Sequence, residues 1–83
     1  MAFELQYSAD AVLHLEALEK SVARRIVNKL DRAKGNPHQF FKRLVGRPEY
    51  KLRVGDYRVI AELDTRRHVI FIRSVGNRRD IYR

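Results

Sequence analysis

Two runs of alternating apolar and charged residues, YKLRV and YRVIAEL, meet at Gly55-Asp56, and that junction restricts the chain more than any other feature. Alternation with a period of two is the pattern of a strand buried on one face. A two-residue junction that opens on glycine supplies the positive φ a type II′ turn needs first, so the runs close as an antiparallel hairpin. The turn then sets the register. Val54 lies opposite Tyr57, Arg53 opposite Arg58, Leu52 opposite Val59 and Lys51 opposite Ile60. Because paired residues project to the same side, Tyr50, Leu52, Val54, Tyr57, Val59, Ala61 and Leu63 share an apolar face, and Lys51, Arg53 and Arg58 share the other.

The polar turn DTRR and a third run, HVIFIRSV ending at Gly76, add another antiparallel strand. At the other end of the sequence Phe3, Leu5 and Tyr7 alternate with polar residues as a first strand. Ser8 then caps a helix carrying Val12, Leu15 and Leu18 on its apolar side, with Asp10 in the first turn. A second helix is expected where Val22, Ala23, Ile26, Val27, Leu30 and Ala33 form one apolar face and Arg24, Arg25, Asn28, Lys29, Asp31 and Arg32 the other, with Gly35 and Pro37 ending it. Residues 36–49 read as a loop with at most a helical turn near Phe40, anchored by Phe40, Phe41 and Leu44. The closing stretch NRRDIYR offers Ile81-Tyr82 as a further edge strand. The expectation is one α+β domain over residues 1–83, β-α-α-β-β-β(-β), with a helical hairpin packed on one face of a mainly antiparallel sheet.

What binds the other face is suggested by charge. The chain carries 18 Lys and Arg against 10 Asp and Glu, a net +8, and residues 42–83 hold all but one of those excess charges. Thirteen of the cations are arginine, whose planar fork suits phosphate contact and base stacking, so a polyanion is the expected partner. Like charges directly opposite on neighbouring strands cost roughly what good pairs contribute, about 0.2–1 kcal/mol, and a surface selected for folding alone avoids them. The pairing of Arg53 with Arg58 therefore favours a phosphate site over a merely solvated surface.

Other chemistries find little support. The absence of cysteine excludes disulfides and thiolate metal sites. His14, His38 and His68 lack ligand spacing, so neither metal nor cofactor is expected. MAFELQYS has the features of neither a signal peptide nor a membrane span, and the expected location is the cytoplasm.

The stretches YKLRVGDYRVIAELD and VIFIRSVGNRRDIYR resemble the signature of RelE-type toxins of the RelE/ParE superfamily, and the element order fits along nearly the whole chain. The resemblance implies a ribosome-dependent endoribonuclease, an mRNA interferase that cleaves mRNA in the ribosomal A site without a metal, inhibits translation and is held in check by a RelB-like antitoxin. Attack of a 2′-hydroxyl on the adjacent phosphate would leave a 2′,3′-cyclic phosphate and a 5′-hydroxyl. Carried across, the family's site residues fall on Lys51, Arg53, Arg58, Arg78 and Tyr82.

Such a cleavage needs a proton acceptor, donors for a charged transition state and help for the leaving oxygen. Arginines crowded around Lys51 make it a candidate base. Arg58 and Arg78 would clamp the phosphate with Arg53 in support, and Tyr82 would stack on a base or relay a proton. Some family members carry two alternating lysines on this strand. Here Lys51 is alone, so the base stays open among Glu49, Lys51 and Tyr82. His68, at the start of a strand, reads as structural or exposed. Lys42, Arg43, Arg47 and Arg79 are weaker candidates for RNA phosphates. Two alternatives share these features: a ParE-like poison of DNA gyrase, and a non-catalytic RNA-binding module.

Overall fold

The computed structural model describes residues 2–77. Arg78, Arg79, Tyr82 and the Ile81-Tyr82 pair lie outside the described residues.

The chain opens with β1 (Glu4–Tyr7), followed by helices α1 (Ala9–Glu16) and α2 (Lys20–Ala33), a single turn α3 (Pro37–Phe40), and strands β2 (Lys42–Arg43), β3 (Tyr50–Val54), β4 (Tyr57–Asp64) and β5 (Val69–Asn77). The strands form one five-stranded sheet in the order β1-β5-β4-β3-β2. β1 runs parallel to β5, and every other pair is antiparallel. The helical layer covers one face of this sheet.

The β3–β4 register is the one the turn dictates, with Val54 opposite Tyr57 and Arg53 opposite Arg58. Gly55 has φ 59° and Asp56 is not in the positive region, the sign pattern of a type II′ turn. Leu52, Val59, Ala61, Ile70 and Ile72 line the covered face and are at most 1% exposed. Ile26, Leu30 and Ala33 of α2 meet them, each fully buried.

Ser8 caps α1 as expected: its Oγ accepts from the Ala11 amide at 3.0 Å and donates to the Arg73 carbonyl at 2.7 Å. Leu15 and Leu18 pack on the core as expected, whereas Val12 is 41% exposed and its neighbour Ala11 is fully buried in its place. Bonding of Ser8 to β5 holds the start of the helix against that strand. Val27 of α2, a step of about 100° around the helix from Ile26, is also outside the core at 40% exposure.

Three further differences concern the connections. Residues 36–49 hold not only α3 but also β2, whose two residues pair with Tyr50 and Lys51. Phe41 and Leu44 anchor this segment from either side and are buried. His68 lies in the β4–β5 turn at φ 58°, so β5 starts at Val69, and it runs past Gly76 to Asn77. Its ring meets Phe3 edge-on at 5.1 Å. In the same turn Asp64 Oδ1 accepts from the amides of Arg66 and Arg67 at 3.1 and 3.0 Å.

A bulge interrupts the β4–β5 ladder. Ile60 pairs with Ser74 and Ala61 with Ile72, which leaves Arg73 as the extra residue. The bulge lets Ile72 and Val75 both stay in the core although three positions separate them.

Candidate nucleic-acid interface

Pairing across three strands builds the charged side of the sheet. Lys42 on β2 is opposite Lys51 on β3, and Lys51 is opposite Ile60, which in turn faces Ser74. The neighbouring row runs from Arg53 through Arg58 to Gly76. Four cations thus occupy adjacent rows on the helix-free face, with Cβ separations of about 4.5–5.5 Å expected within each direct pair. Ile60, Ser74 and Gly76 continue the rows with uncharged and mostly small side chains. Together they make a basic bank beside a low floor.

Lys51 and Arg58 are half-buried, and Lys42 and Arg53 are exposed. Neither lysine has an ion-pair partner among the described residues. Around the hairpin, Arg53 Nε donates to the Gly55 carbonyl at 3.3 Å, and Lys29 Nζ of α2 donates to the Arg53 carbonyl at 2.7 Å. The Arg25 guanidinium approaches Gly55 so closely that a Cβ there would stand 3.0 Å from it. Gly55 is required by its φ, whereas the end of the flexible Arg25 side chain can give way to a Cβ. Lys29 and Arg25 had read as ordinary polar residues of α2, since only the docking of that helix brings them to the β3 edge.

The weaker candidates separate. Lys42 joins the basic rows. Arg43, paired with Tyr50, points away from them, and its Nε donates to the Arg47 carbonyl at 3.4 Å. Arg47 in turn approaches Glu49 Oε1 at 3.7 Å, beyond hydrogen-bond length, which leaves that buried oxygen without a hydrogen-bond partner. Arg47 belongs to the 44–49 connection, and Arg43, at the end of β2, is bonded to it. Burial raises the pKa of the Tyr7 phenol, Asp31 adds to this and Lys34 opposes it, so the phenol stays protonated. No group of three or more His, Asp or Glu side chains gathers among the described residues in a way that would hold a metal.

The sequence matches the family described as the ParE toxin of the type II toxin–antitoxin system parDE over residues 5–82. The chain belongs to this family, within the RelE/ParE superfamily. It is a toxin of a toxin–antitoxin system. Among curated proteins none is significantly similar in sequence. Among solved structures, the fold is similar to that in the RelBE2 toxin–antitoxin complex of Mycobacterium tuberculosis, at TM-score 0.84 and 18% identity, covering 94% of this chain and all of that one. It is also similar to the E. coli RelBE toxin–antitoxin complex, at TM-score 0.81 and 25% identity over 92% of this chain and 96% of that one. The archaeal RelE–RelB complex of Pyrococcus horikoshii matches at TM-score 0.79 and 28% identity over 94% and 97%. This toxin is therefore RelE-like in fold while its sequence matches the ParE description. No helix among its described residues is long and apolar enough to cross a membrane.

Proposed function

We propose that this toxin is a metal-independent endoribonuclease that cuts mRNA on the ribosome. The observation that carries the reading is the pair of basic rows, Lys42 with Lys51 and Arg53 with Arg58, set side by side on the face the helices leave uncovered. A phosphorane-like transition state carries extra negative charge, and donors fixed on strands stabilise it without reorganising. Arg58 and Arg53 would hold the phosphate, Lys51 or Glu49 would take the 2′-hydroxyl proton, and Arg78 and Tyr82 would complete the site. The attacking 2′-oxygen forms a bond to phosphorus as the bond to the 5′-oxygen breaks, and that oxygen leaves with a proton. The orphaned Glu49 Oε1 keeps this carboxylate among the candidate bases.

The complexes of RelE with RelB support a RelB-like antitoxin as partner, an acidic chain that orders on binding and neutralises the +8 surface. Action on ribosomes would place the toxin in the cytoplasm. The match to the ParE description favours one other reading, a gyrase poison that cuts no RNA itself.

Induction in a translating extract with magnesium buffered separates the two. The proposal expects ribosome-dependent mRNA cuts with 2′,3′-cyclic phosphate and 5′-hydroxyl ends. Ends with 5′-phosphate and 3′-hydroxyl would reject the mechanism, and intact mRNA with gyrase-linked DNA breaks would establish the alternative.

A further inference from the structure

The helix-free face has a second feature, at the opposite end of β4 from the basic rows. There a cavity of about 540 Å³, open to solvent, is lined by Gln6, Glu62, Asp64, Arg66, Arg67 and Phe71 among others. Its size falls within the range of small-molecule sites. Gln6 of β1 and Glu62 of β4 are the residues paired with Phe71 from either side, so all three project to one face. Phe71 is half-buried, an apolar ring on the face the helices leave bare. The Arg73 guanidinium lies 6.0 Å from its centroid and is tied to Glu62 at 3.0 Å.

The charges of this corner leave a net attraction for anions. Glu62 is neutralised by Arg73, and Asp64 is engaged by the two turn amides. The side chains of Arg66 and Arg67 are exposed and have no ion-pair partner among the described residues. An aromatic ring flanked by a guanidinium plane, a side-chain amide and two free arginines is the combination that holds a nucleotide. The ring and the guanidinium stack on the base, the amide meets its edge, and the arginines take the phosphate.

We infer that the Phe71 cavity is a nucleotide subsite, in which one base of the single-stranded RNA lying across the helix-free face stacks on Phe71 while Arg66 and Arg67 hold an adjoining phosphate. The inference rests on the RNA-cleaving reading and adds a contact remote from the bond that breaks. Glu62 stands four positions from Arg58 on β4, about 13 Å at a strand rise of about 3.3 Å per residue. The path between them passes over Ile60, Ser74 and the bulge at Arg73. A short run of single-stranded RNA spans that distance, so the cavity anchors the substrate while the basic rows act on it. Stacking tolerates any base, whereas the Gln6 amide presents both a donor and an acceptor, which gives the subsite a means of base preference.

The test uses the full-length toxin and a short oligoribonucleotide made uncleavable by 2′-deoxy linkages. Amide shifts map its footprint, and fluorescence anisotropy measures affinity. The footprint should include Gln6, Arg66, Arg67 and Phe71 as well as Lys51, Arg53 and Arg58. Phe71→Leu, which keeps apolar bulk and removes the π face, should weaken binding roughly 5- to 150-fold, and Phe71→Tyr should restore it. A double change of the exposed turn, Arg66→Gln with Arg67→Gln, gives a weakened binder whose fold does not depend on Phe71. A footprint confined to the basic rows, with both variants binding as wild type, overturns the subsite and leaves the nuclease reading standing. A toxin that shows no footprint on either region likewise overturns the subsite, while the nuclease reading stands or falls on the cuts made on ribosomes.

Discussion

Leu52 and Val59 face each other on one side of the β3–β4 pair, and Arg53 and Arg58 face each other on the other. The two pairs are one residue apart, share the same backbone ladder and differ only in which way the side chains point. On the covered side both partners are apolar and at most 1% exposed. On the bare side two guanidinium groups oppose each other, and two lysines oppose each other in the next row. The first arrangement is what burial selects. The second sets like charges opposite one another, an arrangement that suits a ligand bringing negative charge of its own.

The sharpest way to break this comparison is to put the same charge on each side. Leu52→Asp buries an unpaired carboxylate in the core and should cost about 4–5 kcal/mol or more, enough to unfold a domain of this size. Lys51→Asp, one residue away, should leave a cooperative thermal transition in circular dichroism. If both variants fold, the two faces are not distinguished by burial as described.

A second variant sharpens the functional half. Arg58→Ala should lower RNA cleavage about 100- to 1000-fold, the roughly 2.7–4 kcal/mol expected for one preorganised donor, measured as single-turnover rates on programmed ribosomes. The smallest effect has the opposite sign for stability. Arg53→Thr removes a like-charge pair and places a β-branched residue in a strand, so the toxin should gain about 0.2–1 kcal/mol in urea unfolding while its cleavage falls. A loss of stability instead would mean that the arginine pair supports the fold.

Much of this contrast is legible in the residues themselves, because a period of two and a Gly-Asp turn determine both register and facing. The apolar stripe of α2 is legible for the same reason, although Val27 shows that a stripe gives a direction more surely than a width. The missed features are those settled by partners distant in sequence. Two charged residues, Lys42-Arg43, have no strand pattern of their own, and they become β2 only because β3 offers an edge. The start of α1 is held to β5 by a bond between Ser8 and Arg73, across 65 positions. No local signal marks the bulge at Arg73 or the meeting of Gln6, Phe71 and Glu62, since each lies on a different strand and the strand order is not written in any one of them. Of the sequence-derived candidates, Lys42, Lys51, Arg53 and Arg58 stand together, whereas Arg43 points to the other side of β2 and Arg47 lies in the loop that follows.

The parallel pairing of β1 with β5 has a consequence for how the toxin comes into being. Glu4 is made 65 residues before Val69, yet they are neighbours in the sheet. β5 is also the strand that α1 is bonded to, through Ser8 and through His14, whose Nδ1 accepts from the Val75 amide at 3.2 Å. Until β5 leaves the ribosome, β1 has no strand beside it and α1 lacks the element it packs on most. Local pieces such as α2 and the β3–β4 hairpin form early, and the long-range closure comes last. A translation product stopped before Val69 therefore has no complete sheet on which to display the basic rows. Harmful capacity would then arrive only once β5 has been made, in one cooperative step.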